Sequence, residues 1–357
     1  MAFSGEVLAS KLHVEALQSV VPKTPTDPRI SSIRRNAAAI LHRRFHALLL
    51  YHNNNADHTS GSHVAAGIKA SLQMALQDHP LLAGRLRPAP DGGQNLEIVS
   101  NDSGARIVEA RADFNLHEFL DFNNNGGAAD HHLVFWEDVD HDNPQFCPLF
   151  YVQVTKFGCG GYSIGISCSL LVMDPFVLTA FIKKWADIHN RMLQEDAQTP
   201  MLFYLPSMAK PLSYQPLQTG SNATKNSPAA SVIFKTPTKA AKDSESLALM
   251  CIERAESEIG AKMPSEVCLF AAQGDPAEVE VISQSQGVLE SLPSDNIGGS
   301  KCVRTWWDEE FGLGGVCFVG KNKPAYASSW MNSIVEQGCV MIVGASDHET
   351  KVVVTFT

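Results

Sequence analysis

Several common classes of protein are excluded by what the sequence lacks. No stretch approaches the roughly 18 apolar residues of a membrane-spanning helix. The chain has 28 lysines and arginines against 38 acidic residues, a formal net charge of −10, and no concentrated basic run. Because sequence-independent binding of nucleic acid needs such a basic surface, we expect no nucleic-acid partner. The 44% hydrophobic and 18% charged residues are typical of a soluble globular protein.

Cysteine patterns are also missing. Eight cysteines are scattered singly, without a CxxC pair or the spacing of a zinc site, at positions 147, 159, 168, 251, 268, 302, 317 and 339. We expect buried thiols in a reducing compartment. The N-terminal MAFSGEVLASKLHVEAL has no basic segment followed by an unbroken apolar core, so no signal peptide is predicted.

Nucleotide-binding and metal-binding motifs are absent as well. FGLGG, residues 311–315, is not followed by Lys and then Ser or Thr, and therefore is not a P-loop. The run DHHLVFWEDVDHD, residues 130–142, combines three histidines with several carboxylates. Its spacing fits neither a helical HExxH site nor an EF-hand loop. We expect an acidic surface turn there and no metal site.

Turn-forming residues divide the N-terminal half into short elements. Residues 20–29, VVPKTPTDPR, are rich in turn formers. Apolar residues then recur at helical spacing, which predicts a helix over 64–76 with Ser62 as its cap. Strands are predicted over 94–100 and 105–110, on either side of the turn NDSG.

A hairpin followed by a helix is predicted next. PLFYVQVTKF and YSIGISCSLL both alternate apolar and polar residues and are separated by GCGG, which predicts two antiparallel strands. Leu170 falls on the apolar face of the second strand. Asp174 and Pro175 then begin a helix, because Asp caps a first turn and Pro is favoured at the first helical position. The predicted apolar face of this helix contains Val177, Phe181, Trp185, Ile188 and Met192.

The second half is predicted to form a separate domain. Residues 194–231 are rich in Pro, Ser, Thr and Asn, as in an interdomain crossover. A helix is predicted over 243–260 and a strand over 265–270. Further strands are predicted near 316–319 and 325–330 and in the closing pair GCVMIVGAS and KVVVTFT. The predicted organisation is an N-terminal domain over 1–195, a linker over 196–231 and a C-terminal domain over 232–357.

Taken together, these segments resemble one known family, the plant BAHD acyltransferases, which transfer an acyl group from coenzyme A to a hydroxyl or amine. VVPKTPTDP resembles the family's opening, HPLLAGRLRP its helix-to-strand corner and NDSGARIVEA its next strand. TKFGCGGYSIGISCSLLVMDPFVLTAFIKKWADIH resembles the segment that carries the catalytic motif. The resemblance implies a two-domain α/β fold similar to chloramphenicol acetyltransferase. Each domain is then a mixed sheet with helices, and acyl-CoA and acceptor meet in the cleft between them.

The family's catalytic motif is HxxxD, in which the histidine is the general base and the aspartate holds local structure. With Asp174 aligned on the aspartate, the histidine position is occupied by Leu170, so the base is absent. Loss of a positioned general base typically costs about 10²–10⁴ in rate. Pro175 replaces the family's glycine after the aspartate. This change resembles the eceriferum-like branch, which is linked to very-long-chain fatty acid elongation.

The family's second signature, DFGWG, is a structural loop of the C-terminal domain near the coenzyme A side. Its best match here is formed by Glu310, Phe311, Gly312, Leu313 and Gly314, and KPAYAS resembles the strand that follows. Both glycines are retained, as expected for a tight turn with positive φ. Residues 226–357 are fewer than in the family's usual second domain. We therefore expect a shortened C-terminal domain with an altered coenzyme A site.

Two other side chains, His189 and Cys168, are candidates for a base that replaces the missing histidine. His189 follows Asp174 by about four helical turns and should lie far from the strand end. Cys168 shares the apolar face of Leu170 and is most simply a core thiol, since no base for it can be identified. We expect neither residue to act as the base.

The sequence therefore predicts an acyltransferase homologue whose catalysis is impaired or lost. Two alternatives stay open: a working CoA-dependent acyltransferase of plant specialised metabolism that relies on substrate orientation, and an accessory protein of very-long-chain fatty acid elongation. The expected partners are acyl-CoA as co-substrate with a small alcohol or amine, or the elongation enzymes. We expect no cofactor or metal, a monomer, and a location in the cytoplasm or at the endoplasmic reticulum.

Overall fold

The computed structural model describes residues 5–33, 40–53, 61–90, 96–127, 129–140, 142–196, 229–237, 244–272, 278–283, 303–305, 307–332, 337–344 and 349–356. The helices are α1 (Gly5–Ser10), α2 (Gly61–Ala75), α3 (Leu116–Asn124), α4 (Pro175–Asp196), α5 (Ser244–Ile259) and α6 (Trp307–Phe311). The strands of the first half are β1 (Leu12–Val20), β2 (Ile30–Ile33), β3 (Arg44–Tyr51), β4 (Arg85–Pro88), β5 (Leu96–Val99), β6 (Ala105–Ala112), β7 (Phe150–Phe157) and β8 (Tyr162–Ser169). Those of the second half are β9 (Ser231–Pro237), β10 (Glu266–Ala272), β11 (Glu278–Ser283), β12 (Val303–Thr305), β13 (Tyr326–Met331), β14 (Gly338–Gly344) and β15 (Glu349–Thr355). Within these ranges, no helix is long and apolar enough to cross a membrane.

The first sheet has six strands in the order β1-β6-β7-β8-β3-β13. Strands β7 and β8 form the predicted antiparallel hairpin, and β6 pairs with β7 in parallel. Strand β13 comes from the second half of the chain, yet it pairs antiparallel with β3, with Trp330 opposite His46. The two halves are therefore joined by backbone hydrogen bonds as well as by side-chain packing.

Both faces of this sheet are covered. The alternating apolar residues of the hairpin face α2 and α4, as predicted, and Phe150, Val152, Ile164 and Ile166 are all fully buried there. On the opposite face lies the segment over residues 129–139. The carbonyl of its Leu133 would lie only 2.0 Å from a Cβ placed on Gly165, so glycine is required for this close approach.

The second sheet also has six strands, in the order β11-β10-β14-β15-β9-β12. Helix α5 packs on one face, where Phe234, Leu269 and Val340 are buried. The residues of the other face, among them Phe270 and Met341, belong to the same apolar cluster as the core of the first sheet. Both sheets contain parallel and antiparallel pairs, so the expected α/β class with mixed sheets is confirmed.

A smaller sheet combines β2, β5 and β4. The strands predicted on either side of the NDSG turn are present, but they belong to different sheets, because β5 pairs with β2 and β4 while β6 pairs with β1 and β7. Asp102 and Gly104 in the connecting turn have positive φ angles of 51° and 92°. The chain leaves one sheet and enters the other through this turn.

Several local predictions were wrong. Helix α2 begins at Gly61, so Ser62 lies within the helix and is not its cap. Residues 316–319 form no strand, because a short 3-10 turn over Leu313–Gly315 leads directly into an irregular segment. Val177 is 44% exposed, while the other residues of the predicted α4 face are buried. Most of the predicted linker falls in 197–228, outside the described residues.

Candidate functional site

Leu170 lies immediately after β8, at the place where the sequence predicts a missing histidine. Its backbone N–H donates to the carbonyl of Arg43, 3.1 Å away. The side chain is 1% exposed and belongs to the apolar cluster to which both sheets contribute. An apolar side chain in this position can neither accept a proton nor orient a polar substrate, so position 170 contributes packing.

Asp174 caps helix α4. Its Oδ1 accepts hydrogen bonds from the backbone N–H groups of Phe176, at 2.8 Å, and Val177, at 3.0 Å. Burial raises the pKa of the Asp174 carboxyl, and these two N–H bonds together with the charge of Lys351 oppose the rise. Oδ1 of the carboxylate therefore holds the first turn of the helix.

The segment that matches the second signature takes part in a partly buried cluster of charged side chains. The Glu310 carboxylate, whose side chain is 4% exposed, contacts the ammonium groups of Lys235 on β9 and Lys351 on β15, the latter at 2.7 Å. The contact with Glu310 raises the pKa of Lys235. Because one carboxylate faces two lysines from adjacent strands, Glu310 fixes the loop onto the second sheet.

Phe311 anchors the same loop in the core. Its ring centroid lies 4.9 Å from that of Trp307, 5.2 Å from Phe45 on β3 and 5.4 Å from Phe176 on α4. The following Gly312 has a φ angle of 57°, the left-handed conformation predicted for the turn. Gly314 does not have a positive φ; it lies exposed in the 3-10 turn, so a positive φ does not explain the second glycine.

The two predicted motif segments are neighbours in the fold. Besides the contact between Phe176 and Phe311, the ammonium of Lys351 lies 4.7 Å from the centre of the Phe176 ring. Lys351 therefore contacts the first turn of the helix that Asp174 caps and also pairs with Glu310. Neither Lys351 nor Arg43 was found by sequence reasoning, since each acts through a partner distant in the chain.

Both candidate replacement bases, His189 and Cys168, are buried. The Nδ1 atom of His189 lies 2.9 Å from Ser71 Oγ, and burial lowers the pKa of His189 to about 4. Its ring packs against Gly67 of α2, where a Cβ would approach it within 3.1 Å. Burial raises the pKa of the Cys168 thiol to about 12, so this residue is a protonated core thiol.

The histidine- and acid-rich run over residues 130–142 is mainly a cover for the first sheet, which corrects the predicted surface turn. Its Leu133, Trp136 and Val139 are buried. Beneath it lies Arg44, whose guanidinium is 4.9 Å from the Tyr151 ring centre and donates to Ser167 Oγ. No group of three or more residues suited to holding a metal occurs among the described positions.

An open groove of about 440 Å³ lies at the far end of the hairpin from Leu170. Arg111, Asp113, Asn115 and Lys156 are among the residues that line it. Its charges are largely matched internally, because Arg111 pairs with Asp113 and the backbone N–H of Asn115 donates to Glu118. The residues that line the groove fall within 111–118 and 156–160, so the groove is separate from the junction between the two sheets.

Comparisons with known proteins agree on one family. The family model described as the Transferase family matches residues 21–258. Protein ECERIFERUM 26-like of Arabidopsis thaliana is 35% identical over 33% of this chain and 27% of its own length. Hydroxycinnamoyl-CoA:piscidic acid hydroxycinnamoyltransferase of Actaea racemosa is 38% identical over 34% of this chain and 26% of its own length. Taxadien-5-alpha-ol O-acetyltransferase of Taxus chinensis is 32% identical over 50% of this chain and 40% of its own length.

These matches therefore span less than half the length of each of the three relatives. Among solved structures, the crystal structure of Vinorine Synthase aligns with a TM-score of 0.48 at 16% identity, over 97% of this chain and 94% of that one. The family model covers more than half of the present chain. The chain belongs to the Transferase family, the plant BAHD acyltransferases.

Proposed function

We propose that this chain is a non-catalytic member of the acyltransferase family. The observation that carries the proposal is the position of Leu170, a buried apolar residue where the family motif has its general base, within the apolar cluster to which both sheets contribute. A chain that keeps the capping aspartate and replaces the base retains the architecture and loses the group that accepts the acceptor's proton.

The surroundings of Leu170 support this proposal. Asp174 is occupied by two backbone N–H groups, Cys168 is held as a neutral thiol, and His189 is bonded to Ser71. Each of these three titratable side chains therefore has a structural contact. Acyl transfer by substrate orientation alone is the alternative enzymatic function.

A second candidate function is that of an accessory protein of very-long-chain fatty acid elongation. Two relatives favour it, namely Protein ECERIFERUM 26-like and Protein ECERIFERUM 2, which is 31% identical over 32% of this chain and 28% of its own length. Pro175 after the motif aspartate is the change that resembles the eceriferum-like branch. This function needs no base at position 170.

The test is a measurement of coenzyme A release from a panel of acyl-CoAs, with and without mixed alcohol and amine acceptors. The non-catalytic proposal predicts no acceptor-dependent release by the wild-type chain or by Asp174→Asn. Acceptor-dependent release that falls in Asp174→Asn would support a working enzyme instead. Co-purification of the wild-type chain with a condensing enzyme of elongation would support the accessory function.

A further inference from the structure

Two buried cysteines lie side by side in the second sheet. Cys268 on β10 and Cys339 on β14 are direct partners in a parallel strand pair. Both side chains are fully buried, and both face the apolar cluster shared by the two sheets. Since residues in register on adjacent strands point to the same face, the two thiols meet there.

The spacing of the pair suits a disulfide. Neighbouring strands lie about 4.8 Å apart, within the Cα separation of about 4.4–6.8 Å found across disulfides. Each thiol also shifts the pKa of the other, as expected for side chains in contact. Formation of the bond therefore requires side-chain rotation and little movement of the backbone.

The environment makes the two thiols unequal. The Nη2 atom of Arg43 donates to the carbonyls of Gln337, at 2.6 Å, and Gly338, at 2.9 Å, which places the guanidinium beside the start of β14. The neighbouring Cys268 and the positive charge of Arg43 lower the pKa of Cys339, against the effect of burial. Hydrogen bonding to Cys339 and burial raise the pKa of Cys268. Because the Arg43 guanidinium is bonded to the residue that directly precedes Cys339, we take Cys339 as the better nucleophile of the two.

We propose that Cys268 and Cys339 form a reversible disulfide that connects β10 to β14 beside the junction of the two sheets. The oxidant is a low-molecular-weight disulfide such as glutathione disulfide. The Cys339 thiolate attacks it, which forms a mixed disulfide and releases one glutathione thiolate. Cys268 then loses its proton and attacks the Cys339 sulfur, which releases the second glutathione. In total, two protein thiols are oxidised and one glutathione disulfide is reduced to two glutathione thiols.

Because the two cysteines are completely buried, local opening of the protein limits the rate of this exchange. The oxidant reaches Cys339 only when β14 opens locally, so the reaction is slower than that of the exposed Cys159. Once formed, the bond encloses the long segment between β10 and β14 and restricts the unfolded chain. The oxidised protein should therefore unfold at a higher urea concentration than the reduced protein.

The experiment is incubation of the folded full chain in buffers of defined glutathione to glutathione disulfide ratio. The reaction is quenched with acid, the remaining thiols are alkylated in denaturant, and the digest is analysed by mass spectrometry. We expect a linked peptide pair containing Cys268 and Cys339, lost on reduction. Cys251→Ala is the matched control, because Cys251 is equally buried on α5 in a separate cluster and its removal should leave the linked pair unchanged.

Single variants test the order of the two steps. Cys268→Ser should accumulate a glutathione adduct on Cys339, while Cys339→Ser should leave Cys268 unmodified in the folded state. An adduct on Cys268 in the second variant would overturn the assigned order. Recovery of both thiols fully alkylated from the wild-type chain, with Cys159 fully glutathionylated and after incubation long enough for the backbone amides of β14 to exchange with deuterium, would overturn the disulfide itself. The wild-type measurement decides this even when a variant does not fold.

Discussion

The two motif segments of this chain have changed in different ways. In the loop at 310–314, two of five residues differ from the family pattern, yet Glu310 still pairs with basic residues and Phe311 still fills the core. At 170–174, Asp174 caps a helix, and the predicted position of the base is occupied by leucine. A structural contact tolerates substitution when charge sign and volume are kept, whereas general-base catalysis depends on one titratable group.

The largest effect is expected where the structural loop enters the core. Phe311→Ala removes a ring that contacts Phe45, Phe176 and Trp307. Truncation of a buried phenylalanine should lower the free energy of unfolding by about 4 kcal/mol. Urea denaturation measures the change, and Phe146→Ala, at a residue 71% exposed, should change it by less than about 0.5 kcal/mol. Equal effects of the two variants would show that the loop is not part of the core.

Acid titration tests whether His189 is a core residue. In the folded chain its pKa is about 4, while in the unfolded chain it is near the ordinary 6.5. Below pH 6.5 the unfolded state therefore binds a proton that the folded state does not, and stability falls as pH decreases. The loss should reach about 3 kcal/mol by pH 4. His189→Gln should show a shallower decrease in the urea midpoint over this range; an unchanged slope would contradict the assignment.

Leu170→His tests the comparison at the base position itself. An imidazole buried among apolar residues without a hydrogen-bond partner should lower the free energy of unfolding by about 2 kcal/mol. Acyl transfer should not be restored to the family's level, because the loop at 310–314 also differs from the family pattern at two of its five residues. Leu170→Met, which keeps the volume, is the control and should cost less than about 1.5 kcal/mol. Robust coenzyme A release by Leu170→His would show that the remainder of the site is intact.

The smallest effect is expected at the retained aspartate. Asp174→Ala removes the acceptor for two backbone N–H groups and should cost about 1 kcal/mol. Asp174→Asn keeps an acceptor oxygen and removes a charge that burial disfavours, so its cost should be a few tenths of a kcal/mol. Thermal unfolding of the two variants measures the difference. Equal losses in the two variants would mean that the charge, which both remove, matters and the cap does not.

The parts of the fold that depend on local patterns were predictable. Alternation in Phe150–Phe157 and Tyr162–Ser169 predicted the hairpin, and Asp174 with Pro175 predicted the start of α4. The pairing of Tyr326–Met331 with β3 was not predictable, because register between strands almost three hundred residues apart leaves no periodic signal. Local patterns therefore gave the elements, and long-range pairing arranged them.

The site was predicted to a similar extent. The motif spacing predicts that Leu170 and Asp174 occupy the motif positions, while the links from Arg43 to Gly338 and from Lys351 to Glu310 appeared only in three dimensions. Val177 was wrongly predicted to be buried. A helical pattern predicts which face of a helix is apolar, but it does not say where along the helix the residues that cover this face end. Arg43 and Lys351 contact residues that are distant in the chain, and such contacts have no local sequence signature.

Coenzyme A release by the wild-type chain tests the central claim most directly. Purified folded protein is supplied with a panel of acyl-CoAs and a mixture of alcohols and amines, and free thiol is followed against a sample without acceptor. The account predicts no acceptor-dependent release, because position 170 holds a buried leucine and the two candidate replacements, His189 and Cys168, are buried as well. Sustained acceptor-dependent release would contradict it and would show that the chain is a working acyltransferase.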